Sequence, residues 1–124
     1  MNIKDQLFES VEQIKDVDQE GGLRTKAIFK KSNKNEPLIS IITVVLNNER
    51  YLEEAIESLK SQSYRNFEHT VIDGGSSDRT LEIIKKNDEN IDYWISKKDK
   101  GIYDAFNLGM KLAKGDYLGF DLRP

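Results

Sequence analysis

An open α/β layer built on a parallel sheet of about four strands is the fold class this sequence predicts, and three observations carry it. The run Leu38–Leu46 is apolar almost throughout and rich in β-branched residues, the pattern of a strand buried on both faces. Three further strand-like segments follow, each reached through a stretch of helical periodicity, giving the order β-α-β-α-β-α-β. Polar turns such as Asp73-Gly74-Gly75-Ser76-Ser77 fall where those strands would end. Right-handed crossovers then put helices on both faces of one sheet.

Taken in order, Ile3, Leu7, Val11 and Ile14, widened by Phe8, mark one face of an amphipathic N-terminal helix. Gly21-Gly22 ends its helical character. Residues 21–36 carry Arg24, Lys26, Lys30, Lys31 and Lys34 against one acid, Glu36. This stretch reads as a solvated basic linker, so that 1–36 and 37–124 form two zones. The alternative is an arm that docks on a partner or on an anionic membrane surface. After the first strand, Asn47 or Asn48 can cap a helix whose apolar face is Leu52, Ala55, Ile56 and Leu59. Phe67–Ile72 is the second strand. Asp78–Lys86 is a helix with Leu81 and Ile84 inward, for which Ser76, Ser77 and Asp78 are N-cap candidates. Ile91–Ser96 is the third strand, with Tyr93 and Trp94 in strand packing, and Lys97–Gly101 a polar loop. Ile102, Phe106, Met110 and Ala113 mark the last helix, Gly115 its left-handed C-terminal cap, and Asp116–Phe120 the fourth strand.

The chain has 124 residues, about one domain, and a formal net charge of −3. That mild acidity argues against a nucleic-acid partner, since neutralising phosphates takes clustered Lys and Arg. Cysteine is absent and histidine occurs once, as His69, which reads as structural within its strand. A disulfide scaffold, a thiolate zinc site, a cysteine nucleophile and a paired-histidine metal site are thereby excluded. Leu38–Leu46 is under half of the roughly 20 residues a membrane-spanning helix needs. The N-terminus, MNIKDQLFES, has no apolar signal region, so a cytoplasmic protein is expected.

In such sheets ligands bind beyond the carboxyl ends of the strands, near a topological switch point. LNNER follows the first strand instead of GxGxxG, and neither a P-loop nor a GxSxG elbow occurs. Asp73, with two glycines after it, can accept hydrogen bonds from a nucleobase or ribose, or can simply organise its turn. Asp99, Lys100 and Asp104 flank the start of the last helix, where Lys100 could meet a diphosphate or belong to an ordinary charged loop.

These segments, in this order, resemble family 2 glycosyltransferases. PLISIITVVLNNERYLEEAIESLKSQSYRNFEHTVIDGGSSDRTLEIIKK is similar to the N-terminal nucleotide-binding half of their Rossmann-like GT-A fold, and DKGIYDAFNLGMKLAKGDYLGF continues the match. The resemblance is strongest to the bacterial branch that builds O-antigen, capsule and other surface polysaccharides, and it spans roughly Gly21 to Phe120. It implies nucleoside contacts from Val44, Val45, Leu46, Asn47, Asn48 and Glu49, with Leu46 standing where the family has an aromatic. It implies that Asp73 binds the base or ribose, and that Asp99, Lys100, Gly101, Tyr103 and Asp104 lie by the donor diphosphate.

The resemblance further implies transfer of a sugar from a nucleotide-diphospho-sugar, UDP-linked by preference, to a saccharide or lipid-linked acceptor hydroxyl. Mg²⁺ or Mn²⁺ would stabilise the leaving diphosphate, and a carboxylate would act as base. In the family a short acidic motif after the fourth strand holds the metal. Here Asp121 is followed by Leu122-Arg123-Pro124, so Asp121 is the one metal-ligand candidate, and the acceptor half with its base has no counterpart. A truncated, inactive chain that binds nucleotide weakly is expected, cytoplasmic or at the inner face of the membrane. The competing expectation is a non-enzymatic, nucleotide-binding or self-associating module, a homo-oligomer held by uncovered apolar surface.

Overall fold

The structure, a computed structural model, describes residues 17–98 and 102–121, without the side chains of 102 and 103. Strands β1 (Gln19–Gly21), β2 (Ile39–Val45), β3 (Phe67–Asp73), β4 (Tyr93–Ser96) and β5 (Tyr117–Asp121) alternate with helices α1 (Glu49–Lys60), α2 (Thr80–Lys86) and α3 (Ile102–Leu112). The five strands form one sheet in the order β1-β4-β3-β2-β5. β2, β3, β4 and β5 pair in parallel, and β1 runs antiparallel along the outer side of β4. The four strands expected from sequence are all present, and an antiparallel edge strand is added to them. The N-terminal amphipathic helix expected from Ile3 to Ile14 lies outside the described residues.

Each face of the sheet is closed by its own apolar cluster. Val45, Val71 and Trp94 pack under Leu52 and Ile56 of α1 and Ile83 and Ile84 of α2. On the opposite face Ile42, Ile72, Tyr93 and Ile95 pack against Ala105 and Leu112 of α3. This two-sided burial is why Leu38–Leu46 is apolar at consecutive positions and not at alternate ones. Gly109 lets α3 approach closely, since a Cβ there would sit 2.5 Å from a methyl of Ile42. Of the residues that marked this helix, Ala113 packs on the cluster and Met110 is 43% exposed. Ala105, Leu108 and Leu112 complete the inward side of this segment.

Gly115 also departs from expectation. It is not in the left-handed region. Its N–H donates to Ser40 Oγ at 2.7 Å, and a Cβ there would meet the Leu38 carbonyl oxygen at 2.6 Å, so close approach explains the glycine. None of Ser76, Ser77 or Asp78 is the N-cap of α2; Arg79 holds that position without a side-chain cap.

The start of the basic stretch after Gly22 is tied to the sheet, while residues 31–36 are exposed. The Arg24 side chain is 8% exposed and forms a 2.7 Å ion pair with Glu68 of β3. Lys26 pairs with Asp88 and Lys30 with Asp92. Glu68 also accepts hydrogen bonds from the Ser40 hydroxyl and the Lys114 N–H, while Arg24 donates to the Leu112 carbonyl. A buried carboxylate satisfied on both oxygens is the physical reason for an acid inside β3. Three of the five cations that suggested attraction to an anionic surface thus have acidic partners within the fold, and of these only the Arg24 side chain is buried. Among the described residues no helix is long and apolar enough to cross a membrane.

Candidate functional site: the carboxyl rim of the sheet

β2, β3 and β4 are laid down successively to one side, and the chain then crosses back to put β5 on the other side of β2. The switch point lies between β2 and β5, and the turns leaving β2 and β3 open at the same edge. Register aligns Val45 with Asp73, Asp73 with Ser96, and Thr43 with Asp121.

Asp73 is fully buried. One carboxylate oxygen accepts the Ser76 hydroxyl at 2.5 Å, and the other accepts the Ser96 hydroxyl at 2.7 Å and the Ser76 N–H at 3.2 Å. In this structure the side chain therefore organises the β3–α2 turn, the more modest of the two roles its position allowed. Asn47 crosses to the same turn. Its backbone is left-handed, with φ 48°. Its N–H donates to Ser76 Oγ at 2.8 Å, and its Oδ1 accepts the N–H groups of Ser77 and Asp78 at 2.7 and 3.2 Å. Hydrogen bonding to Thr80 holds the exposed Asp78 carboxyl below its ordinary range.

The other sequence-derived candidates divide as follows. Val45 points into the core, and its carbonyl accepts the Gly74 N–H; Val44 is half-buried beside the α3 cluster. Leu46 is 57% exposed at the mouth of the rim. Asn48 is the N-cap of α1, its side chain accepting the Tyr51 N–H. Glu49, in the first turn of α1, faces Arg79 across a groove of about 610 Å³ between α1 and α2. Asp104 is exposed in the first turn of α3. Asp99, Lys100 and Gly101 lie outside the described residues. Asp121 ends β5, where its Oδ1 accepts the Tyr51 hydroxyl at 2.5 Å. His69 is a buried strand residue with Nε2 2.7 Å from Thr43 Oγ1, and burial drives its pKa down to about 3.

Sequence reasoning missed Ser96, Tyr51 and the reach of Asn47. Ser96 could have been found by aligning the ends of two parallel strands. Asn47 has a weaker signal: an Asn at a strand end tolerates the left-handed backbone that a tight exit turn demands.

The family model for Glycosyl transferase family 2 matches residues 40–120, from within β2 to within β5. The chain belongs to glycosyltransferase family 2. An uncharacterized glycosyltransferase of Haemophilus influenzae is 42% identical over 89 residues, a match covering 69% of this chain and 36% of that protein. S. aureus TarS 1–349 in complex with UDP-GlcNAc is similar at 28% identity and TM-score 0.58, over 66% of this chain and 25% of that one. The mannosyltransferase PcManGT of Pyrobaculum calidifontis, in complex with GDP-Man and Mn²⁺, shares the fold at 17% identity and TM-score 0.62, over 90% of this chain and 32% of that one. The matched region thus spans about a third or less of the lengths of these relatives.

The described residues offer one of the carboxylates that the divalent metal expected for a family 2 glycosyltransferase would need. Asp121 brings one carboxylate, with one oxygen already taken by Tyr51. Among the described residues no three His, Cys, Asp or Glu side chains group as a metal would require.

Proposed function

We propose that the carboxyl rim between β2, β3 and β5 binds the nucleoside diphosphate of a sugar donor. The protein this chain represents would then transfer the sugar to an acceptor hydroxyl, saccharide or lipid-linked, in surface polysaccharide synthesis. One observation carries the reading: in a chain of this family, the exit turns of β2 and β3 and the end of β5 meet at the topological switch point. TarS, a relative with UDP-GlcNAc bound, supports a uridine nucleotide as the first ligand to try.

Within this reading Ser76 is the group that a ribose or base donor replaces. Its hydroxyl donates to Asp73, and a ligand O–H or N–H would take over that donation without leaving the carboxylate unpaired. Exposed Leu46 would cover one face of the base. Asp104, together with Lys100, would approach the diphosphate. Nucleotide binding is the outcome expected of the 124-residue chain. Calorimetric titration with UDP and GDP tests this. Saturable binding that falls at least tenfold in Asp73→Ala supports the reading, and absence of binding to either nucleotide contradicts it.

A second reading, a self-associating module, has one observation in its favour. β5 is an edge strand whose Tyr117, Leu118 and Phe120 are 63%, 48% and 44% exposed. Sedimentation across a range of concentrations distinguishes a monomer from such an assembly.

A further inference from the structure

We propose that Asn47 is a positioning residue, clamping the exit turn of β2 to the β3–α2 turn so that Asp73 and its loop are preset for the nucleoside; this rests on the rim being the nucleotide site. Two groups of Asn47, its backbone N–H and its side-chain Oδ1, make hydrogen bonds across a sequence separation of 29 to 31 residues. The Asn47 N–H holds Ser76 Oγ, and Oδ1 holds the N–H groups of Ser77 and Asp78. The left-handed backbone at Asn47 aims that oxygen across the gap, and Asn is among the few residues that adopt it readily.

The two halves of the clamp do different work. The N–H half acts through Ser76, the contact that a ligand would displace. The Oδ1 half does not involve the Ser76 side chain, so it holds residues 77 and 78 while Ser76 is exchanged for a ligand group. On the neighbouring residue the Asn48 N–H donates to Thr80 Oγ1 at 3.2 Å, and the Val45 carbonyl accepts from Gly74 at 3.0 Å. The Asn47 bonds therefore extend a seam already closed at both flanks. What they add is order in 76–78, the segment beyond the sheet register that faces the incoming nucleoside.

Two variants separate side chain from backbone. Asn47→Gly keeps the left-handed conformation and deletes Oδ1. Asn47→Asp keeps both the oxygen and the tolerance for that conformation. The readouts are amide hydrogen exchange at Ser77 and Asp78, measured without ligand, and calorimetric binding of UDP, with uridine as an uncharged probe for the Asp variant. In Asn47→Gly the two amides are expected to exchange about tenfold faster, those of β2 and β3 are unchanged, and UDP binds about tenfold more weakly. Asn47→Asp restores the protection and uridine affinity. Unchanged exchange at Ser77 and Asp78 overturns the clamp. Faster exchange with unaltered UDP affinity overturns its role in binding. A wild-type chain that binds neither UDP nor uridine overturns the nucleotide reading, and with it the functional half of this proposal, while exchange still decides the clamp.

Discussion

His69 is the residue whose chemistry is most isolated. It is the only histidine, buried on β3, and its ring contacts Thr43 of β2. Burial first, and the Lys30 charge second, depress its pKa from 6.5 to about 3. Between those values the unfolded chain takes up a proton that the folded chain refuses. Stability therefore falls as pH drops from 6.5 toward 3, by up to about 1.4 kcal/mol per pH unit. Asp92, raised by burial, works with the opposite sign at the acid end, since its folded form holds a proton longer than its unfolded form. Urea titrations from pH 7 to 4.5 should show the loss in the native protein and a markedly flatter profile in His69→Gln. An identical slope in both would remove His69 from the account.

At the scale of elements, the segment from Gln19 to Lys30 shows how charge can conceal structure. Its three cations, Arg24, Lys26 and Lys30, read as solvent-facing, because sequence does not reveal that Glu68, Asp88 and Asp92 wait for them elsewhere. Arg24→Met would leave Glu68 buried with its main positive partner gone, a loss of about 3–5 kcal/mol. Adding Glu68→Gln, which keeps the acceptor for Ser40 and removes the charge, should recover much of it. Thermal melts of the single and double variants check this. The parallel strands and α1 were legible because burial on two faces and a clean helical stripe leave strong patterns. The seating of α3 on the sheet was not legible, because it rests on the close approach of a glycine, Gly109, which gives no apolar signal.

At the scale of the whole sheet, the described residues end on antiparallel β1 at one side and on β5 at the other, where Tyr117, Leu118 and Phe120 are exposed. If that edge drives association, Leu118→Lys should shift sedimentation toward monomer without lowering the melting temperature; an unchanged distribution would argue against it. The candidate site was legible as a location more than as a set of contacts. Strand ends and switch point follow from element order, and that order was readable. The burial of Asp73 was not, because it depends on Ser96, a residue brought alongside only by the pairing of β3 with β4.

The most direct measurement is an ¹⁵N–¹H correlation spectrum of the chain titrated with UDP. Shifts are expected to concentrate at residues 45–49 and 73–78 and at Asp121, along the carboxyl rim of the sheet. Shifts confined to the α1–α2 groove, or none at saturating nucleotide, would contradict a nucleotide site at that rim.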